Sequence, residues 1–198
     1  MTTIEATPAL CRPRIDISLA FKGGWRVFTA DIVPLLLGGL ITLVLSVVTL
    51  GIMAGPLVAG LYKMAIGRVR DGKPAQISDL FDCLDRFGSY FVAALVLGLL
   101  IGLASLTIVG GILLATVWMY VFPLMVDRGM GLGEAMKTSY HMVVDHGFWE
   151  HLALVILLIA LNGMANGALG LLAMPFTIAT VAAAYFVADG RGELVERV

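Results

Sequence analysis

The sequence predicts an all-α polytopic membrane protein with six transmembrane helices, arranged as three parallel-repeat hairpins that are each preceded by an amphipathic cytoplasmic helix. The composition is the first reason. Of 198 residues, 60% are hydrophobic and only 14% are charged, whereas soluble domains carry about 25% charged residues. The second reason is segregation, because three long stretches contain no Asp, Glu, Lys or Arg: residues 32–62, 87–126 and 152–188.

Each uncharged stretch is long enough to cross a membrane and return. A helix needs about 20 apolar residues to cross the hydrocarbon. The stretch 32–62 is the shortest, so we expect its first helix to begin early, near Trp25, and Lys63 to reach back to the headgroups. All 13 Lys and Arg residues lie outside the stretches, and the turns expected at 48–51, 108–111 and 162–167 carry no charge. The positive-inside rule therefore predicts that both termini lie in the cytoplasm.

A threefold internal repeat underlies these hairpins. Three segments end alike, in Val-x-x-Gly at 69–72, 126–129 and 187–190. Before two of the hairpins, apolar or small residues recur at i, i+3, i+4, i+7, i+8 and i+11, starting from Ile17 and Leu132, and Ile77 starts a shorter version. This spacing is typical of one face of a helix. The pattern predicts three amphipathic helices on the inner membrane surface and an approximate threefold axis along the membrane normal.

The domain boundaries follow from the repeat. Residues 1–14 lack an apolar signal-peptide core and are expected to form a disordered cytoplasmic tail. Residues 15–190 form one membrane domain with repeats at 15–72, 77–129 and 132–190, and residues 191–198 form a second cytoplasmic tail. Cys11 and Cys83 are expected to stay reduced thiols in the cytoplasm.

Candidate functional residues are few. Gly98 and Gly102 have the spacing that lets two membrane helices pack closely. Four basic side chains near the first amphipathic helix are candidates for contact with anionic headgroups: Arg12, Arg14, Lys22 and Arg26.

The sequence predicts no metal site, no cofactor and no catalytic site. The residues that come closest to a metal site are His141, Asp145 and His146, but histidines five positions apart do not converge on a helix. We expect the segment around His151 to be a polar linker. Ser139 and His141 lie two positions apart and cannot form a hydrolase pair. A net charge of −1 gives no electrostatic basis for nucleic-acid binding.

Four short segments in this order resemble a known family: residues 20–28 (AFKGGWRVF), 54–62 (AGPLVAGLY), 122–128 (FPLMVDR) and 134–139 (EAMKTS). Over roughly residues 15–190 the chain is similar to a family of bacterial integral membrane proteins of unknown function, some of which are labelled as cytochrome c oxidase subunits. It is more distantly similar to the membrane domain of glycerophosphodiester phosphodiesterases. The resemblance implies a helical inner-membrane fold and assigns no catalytic residues to this sequence.

Two functions are compatible with this sequence. The first is a non-enzymatic accessory, scaffold or lipid-interacting subunit, whose partners are the lipid bilayer and other membrane proteins or further copies of the chain. The second is a channel or transporter for an uncharged or amphipathic small molecule. A closed, apolar centre favours the first function, whereas a wide cavity lined by Thr, Ser and Asn favours the second.

Overall fold

The computed structural model describes residues 15–164 and 168–198, and these residues are 83% helical and contain no strand. The prediction of an all-helical protein is confirmed. The helices are α1 (Ile17–Ala30), α2 (Ile32–Val48), α3 (Ala54–Asp71), α4 (Ile77–Phe81), α5 (Phe87–Ala104), α6 (Ile108–Val117), α7 (Val121–Asp127), α8 (Leu132–Asp145), α9 (Phe148–Met164), α10 (Ala168–Ala188) and α11 (Gly192–Glu196). A 3₁₀ turn, Asp82–Arg86, joins α4 to α5.

Several helices have the length and composition needed to cross a membrane. Within the described residues there are three: Ile77–Ala104, Ile108–Asp127 and Gly170–Ala188. Two further pairs meet the same criteria if each bent pair is one span, which gives up to five; they are α1 with α2, bent by 91°, and α8 with α9, bent by 108°. The sequence predicted six spans, and the described residues contain three to five candidates. The remaining long helix, α3, carries Lys63, Arg68, Arg70 and Asp71 and is too polar to meet the criteria.

Helices α3, α7 and α10 form the centre of the bundle. Helix α3 packs against both α7 and α10, and the largest fully buried side chains include Leu57 and Leu61 of α3, Leu124 of α7, and Tyr185 of α10. Helices α2, α5 and α9 lie outside this centre and expose many large apolar side chains. Such a distribution suits a surface covered by lipid, in which apolar side chains cost nothing to expose.

The three Val-x-x-Gly segments have the same backbone geometry. Gly72, Gly129 and Gly190 follow the last turns of α3, α7 and α10 and have φ values of 65°, 65° and 76°. This left-handed conformation closes a helix, and glycine adopts it without the penalty that a Cβ atom imposes. The repeated glycine therefore marks the ends of the three central helices.

A break separates α6 from α7 and is bridged by a side chain of another helix. The Ser139 hydroxyl of α8 is completely buried. It donates a hydrogen bond to the Val117 carbonyl (2.7 Å) and accepts one from the Tyr120 N–H (3.3 Å). Pro123, at the start of α7, has no N–H to continue the helical ladder. Ser139 thus satisfies backbone groups that the interrupted helix leaves unpaired.

The bend between α1 and α2 is held by a buried carboxylate. Asp31 is 7% exposed, and its Oδ2 atom accepts a hydrogen bond from the Ala75 N–H at 3.2 Å. The Arg68 Nε atom lies 3.6 Å from the same oxygen. The bend is therefore tied both to α3 and to the loop that follows it.

The end of the domain differs from the prediction of a tail at residues 191–198. Residues Gly192–Glu196 form α11, which packs against α1, α3 and α10, and Val195 is completely buried. A Cβ atom on Gly23 would lie only 2.1 Å from Val195 Cγ1, so the glycine of α1 makes room for this contact. Two further apolar side chains of this segment, Leu194 and Val198, are partly buried and pack against the core.

Candidate functional site

The side chain of Asp127, at the end of α7, connects all three predicted repeats. It is only 4% exposed. Its Oδ1 atom accepts a hydrogen bond from Arg70 Nη1 of the first repeat at 2.9 Å. Its Oδ2 atom accepts from the Tyr185 hydroxyl at 2.8 Å, near the end of the third repeat, and from Arg191 Nη2 at 2.7 Å, directly after that repeat. One carboxylate therefore receives donors from both neighbouring repeats.

A second carboxylate extends this network. Asp189 accepts hydrogen bonds from Arg128 and, at 2.6 Å, from Arg191 Nε. Burial alone would lower the pKa of the Arg191 guanidinium, but its hydrogen bond to Asp127 and the charges of both carboxylates raise that pKa above its usual value. Arg191 therefore stays charged and holds two acidic side chains together. We refer to Arg70, Asp127, Arg128, Asp189 and Arg191 as the ion-pair network.

A layer of buried polar rings lies next to the ion-pair network. The Tyr185 ring contacts the Tyr120 ring, with ring centroids 6.1 Å apart, and the Tyr120 ring packs edge-on against His151 at 5.5 Å. All three residues are completely buried. The layer closes the centre of the bundle behind the network.

Two polar atoms in this layer have no hydrogen-bond partner within the described part of the chain: the Tyr120 hydroxyl and His151 Nε2. The other ring nitrogen of His151, Nδ1, is bonded to the Gly147 carbonyl at 2.7 Å. The expectation that His151 belongs to a polar linker is therefore wrong, because the side chain faces the protein interior.

A groove is lined by side chains of α9 and α10 and by Met119, which lies in the break between α6 and α7. Its volume is about 640 Å³, and its walls are mostly apolar. Two polar side chains, Asn162 and Thr177, line the groove. Asn162 Nδ2 donates to Thr177 Oγ1 at 2.7 Å and to the Leu158 carbonyl at 2.8 Å. These two contacts use both amide protons of Asn162.

The structure does not bring His141, Asp145 and His146 together as a metal site. His141 is exposed and lies beside Tyr140, while His146 Nδ1 bonds to the Met142 carbonyl at 3.0 Å. Asp145 is exposed at the end of α8. Among the residues that the structure describes, no group of three His, Cys, Asp or Glu side chains is placed to hold a metal ion.

The residues predicted to contact headgroups have different surroundings. Lys22 is exposed. Arg26 is also exposed, but its Nη1 atom donates to the Glu196 carbonyl at 3.1 Å and so caps the end of α11. Arg12 and Arg14 lie outside the described residues. Contact with headgroups stays a prediction for these side chains.

Gly98 and Gly102 do not pack helices within the described part of this chain. Both are exposed on α5, and a Cβ atom added to either would meet no heavy atom within 4 Å. Close packing within the chain instead involves other glycines, such as Gly24 against Thr180 and Gly60 against the Leu80 carbonyl. Packing through Gly98 and Gly102 therefore stays a prediction only for contacts with another molecule.

Sequence reasoning missed the ion-pair network and the buried rings, although signals for both were present. The acidic and basic residues of the network stand in or directly after the three Val-x-x-Gly segments. His151 shares a helical face with Leu154, Val155 and Leu158, which are all buried. A histidine that shares this spacing with buried apolar residues is expected to point toward the protein interior.

The chain matches no protein-family model, no curated protein and no solved structure.

Proposed function

We propose that the protein is a six-span membrane protein of the bacterial inner membrane, with both termini in the cytoplasm, that acts as a non-enzymatic accessory, scaffold or lipid-interacting subunit. The observation that carries this proposal is the filled and closed centre. Large buried side chains occupy the region where α3, α7 and α10 meet, and the ion-pair network ties these helices together at one end. A rigid, closed bundle suits a protein that offers its outer surface to others.

The arrangement of the ion pairs supports three parallel hairpins. The network joins the C-terminal ends of α3, α7 and α10 through Arg70, Asp127 and Asp189. Helices whose C-terminal ends meet run in the same direction toward that end. Parallel repeats around an axis along the membrane normal have this property.

The outer surface supports a role in binding lipid or other membrane proteins. Large apolar side chains on α2, α5 and α9 are widely exposed, among them Val47, Leu99 and Ile156. Soluble monomers rarely expose so many large apolar side chains. The bilayer, other membrane proteins or further copies of the chain would cover it.

The groove beside α9 favours the second function, transport of an uncharged or amphipathic small molecule. Its volume of about 640 Å³ lies in the range of small-molecule sites. Asn162 and Thr177 give it a hydrogen-bonding end. A conducting path would require the ring layer of Tyr120 and Tyr185 to open, so the closed centre ranks this function second.

The topology can be tested with single cysteines in a variant whose two native cysteines are replaced by alanine. Leu50, Leu106 and Met164 are 92%, 85% and 81% exposed near the three turns expected on the outside. An impermeant maleimide added to intact cells should label cysteines at these positions and should not label one at Lys73. Labelling of Leu106→Cys only after the cells are opened would contradict the three parallel hairpins.

The accessory function can be tested by purification from native membranes in mild detergent, with quantification of proteins and lipids that co-purify in fixed stoichiometry. We expect Gly98→Leu to lose a protein partner or a second copy, because the leucine blocks close approach to this face of α5. Gly88→Leu is the matched control, since Gly88 also has open space around it on the same helix. A wild-type particle that contains neither partner, second copy nor bound lipid would contradict the proposal.

The transport function has a separate test. Purified protein in liposomes should release small uncharged solutes faster than empty liposomes if the second function is correct. Flux equal to that of empty vesicles would remove this alternative.

A further inference from the structure

Among the residues that the structure describes, the Tyr120 hydroxyl and His151 Nε2 have no hydrogen-bond partner, and both lie in one buried layer. Both side chains are completely buried, and their rings are in direct contact with centroids 5.5 Å apart. Buried polar atoms in proteins nearly always have a partner, and a specific exception indicates an unseen water molecule or ligand. The coincidence of two such atoms on touching residues is therefore informative.

The two atoms are chemically complementary. Since the Gly147 carbonyl can only accept, the bond to it from His151 Nδ1 requires that nitrogen to carry the proton. In the neutral imidazole, Nε2 then presents a lone pair and can only accept. The Tyr120 hydroxyl can donate and accept. A small molecule with its own donor and acceptor groups can therefore satisfy both atoms at once.

We propose that Tyr120 and His151 form an internal binding site for one small hydrogen-bonding molecule, and that this molecule is water in the resting protein. A buried water needs two to four polar partners, and the site offers an acceptor nitrogen and a hydroxyl. The site is independent of the proposed accessory function and would exist whether or not the protein has a partner.

Tyr185 connects this site to the ion-pair network. The Tyr120 ring contacts Tyr185, and the Tyr185 hydroxyl donates to Asp127 at 2.8 Å. Asp127 in turn is held by Arg191. The bound water would exchange with bulk solvent through this end of the bundle when the network opens.

The decisive variant is Tyr120→Phe, because it removes one oxygen atom and keeps the ring. If the hydroxyl holds a water, its loss removes one of the two partners of that water. The water then leaves, His151 Nε2 stays buried and unpaired, and the melting temperature falls by a few degrees. If the hydroxyl is unpartnered and dry, its removal eliminates a costly buried group and raises the melting temperature. The sign of the shift separates these cases.

The water itself can be counted by oxygen-17 magnetic relaxation dispersion of the purified protein in detergent, which detects water molecules with long residence times. We expect wild type to hold one more such water than either Tyr120→Phe or His151→Phe. Tyr140→Phe, at an exposed tyrosine, should match wild type in both melting temperature and water count. An unchanged count in Tyr120→Phe would overturn the proposal, even with a lower melting temperature, because a direct Tyr120–His151 hydrogen bond would then explain the loss.

Discussion

Replacement of Asp127 by asparagine tests whether the ion-pair network holds the three parts of the bundle together. The substitution preserves the shape of the side chain and removes its charge. In the native structure the carboxylate accepts from Arg70, Arg191 and Tyr185 at 2.7–2.9 Å. The asparagine amide has one acceptor oxygen, and its NH₂ group would face a guanidinium that also only donates.

The expected loss follows from burial. Removal of one partner of a fully buried ion pair costs about 3–5 kcal/mol, whereas exposed pairs contribute about 0–1 kcal/mol. Asp127 is 4% exposed, but its partners Arg70 and Arg191 are 44% and 32% exposed. Water can therefore solvate the two guanidinium groups in the variant. We expect a loss of about 2–3 kcal/mol in the free energy of unfolding, between the two limits.

The assay is denaturant-induced unfolding in detergent micelles, followed by tryptophan fluorescence. The matched control is Asp82→Asn, because Asp82 accepts a similar 2.8 Å bond from Lys63 while the two side chains are 49% and 43% exposed. We expect the control to lose less than about 1 kcal/mol. If Asp127→Asn loses no more stability than Asp82→Asn, the network does not hold the bundle together and the argument from burial is wrong.

Two further substitutions test the packing of the bundle in the same assay. Ser139→Ala should lose about 1–3 kcal/mol of unfolding free energy, because it leaves a backbone N–H and a carbonyl unpaired at the break between α6 and α7. Ser105→Ala is the control, since the Ser105 hydroxyl is exposed and donates to the Ile101 carbonyl of the preceding turn. It should change the unfolding free energy by less than about 0.5 kcal/mol. Gly60→Ala should lose about 1–3 kcal/mol of unfolding free energy, because the alanine Cβ would lie 2.1 Å from the Leu80 carbonyl oxygen of α4. Gly67→Ala in the same helix meets no atom within 4 Å and should gain up to about 1 kcal/mol from higher helix propensity. Equal effects within either pair of variants would show that the contact in question does not decide stability.

The helices and their ends could be predicted because the relevant information is local. An amphipathic face recurs every three to four residues, and the predicted helices at 17–28 and 132–143 coincide with α1 and α8. The Val-x-x-Gly segments marked helix ends correctly because the left-handed closing residue is set by a single glycine. The break before α7 was less visible, since Pro123 alone does not reveal that Ser139 would bridge the gap.

The candidate residues were harder to predict because their roles depend on neighbours far along the chain. Gly98 and Gly102 have the spacing of a packing motif, yet the fold turns that face of α5 outward. His146 and His151 are close in sequence, but the 108° bend between α8 and α9 separates their surroundings. Spacing along a helix defines a face; it does not define what the face contacts.

By itself the sequence determined that the chain is helical, where its uncharged segments lie and where its central helices end, because helix geometry and the exclusion of charge from hydrocarbon act on residues close in the chain. Only the tertiary structure decided that Asp127 would meet Arg70 and Arg191, which are 57 and 64 residues away. Only the tertiary structure buried His151 and brought residues 192–196 into the fold. Such contacts depend on which helices become neighbours, and this follows from the packing of the whole bundle.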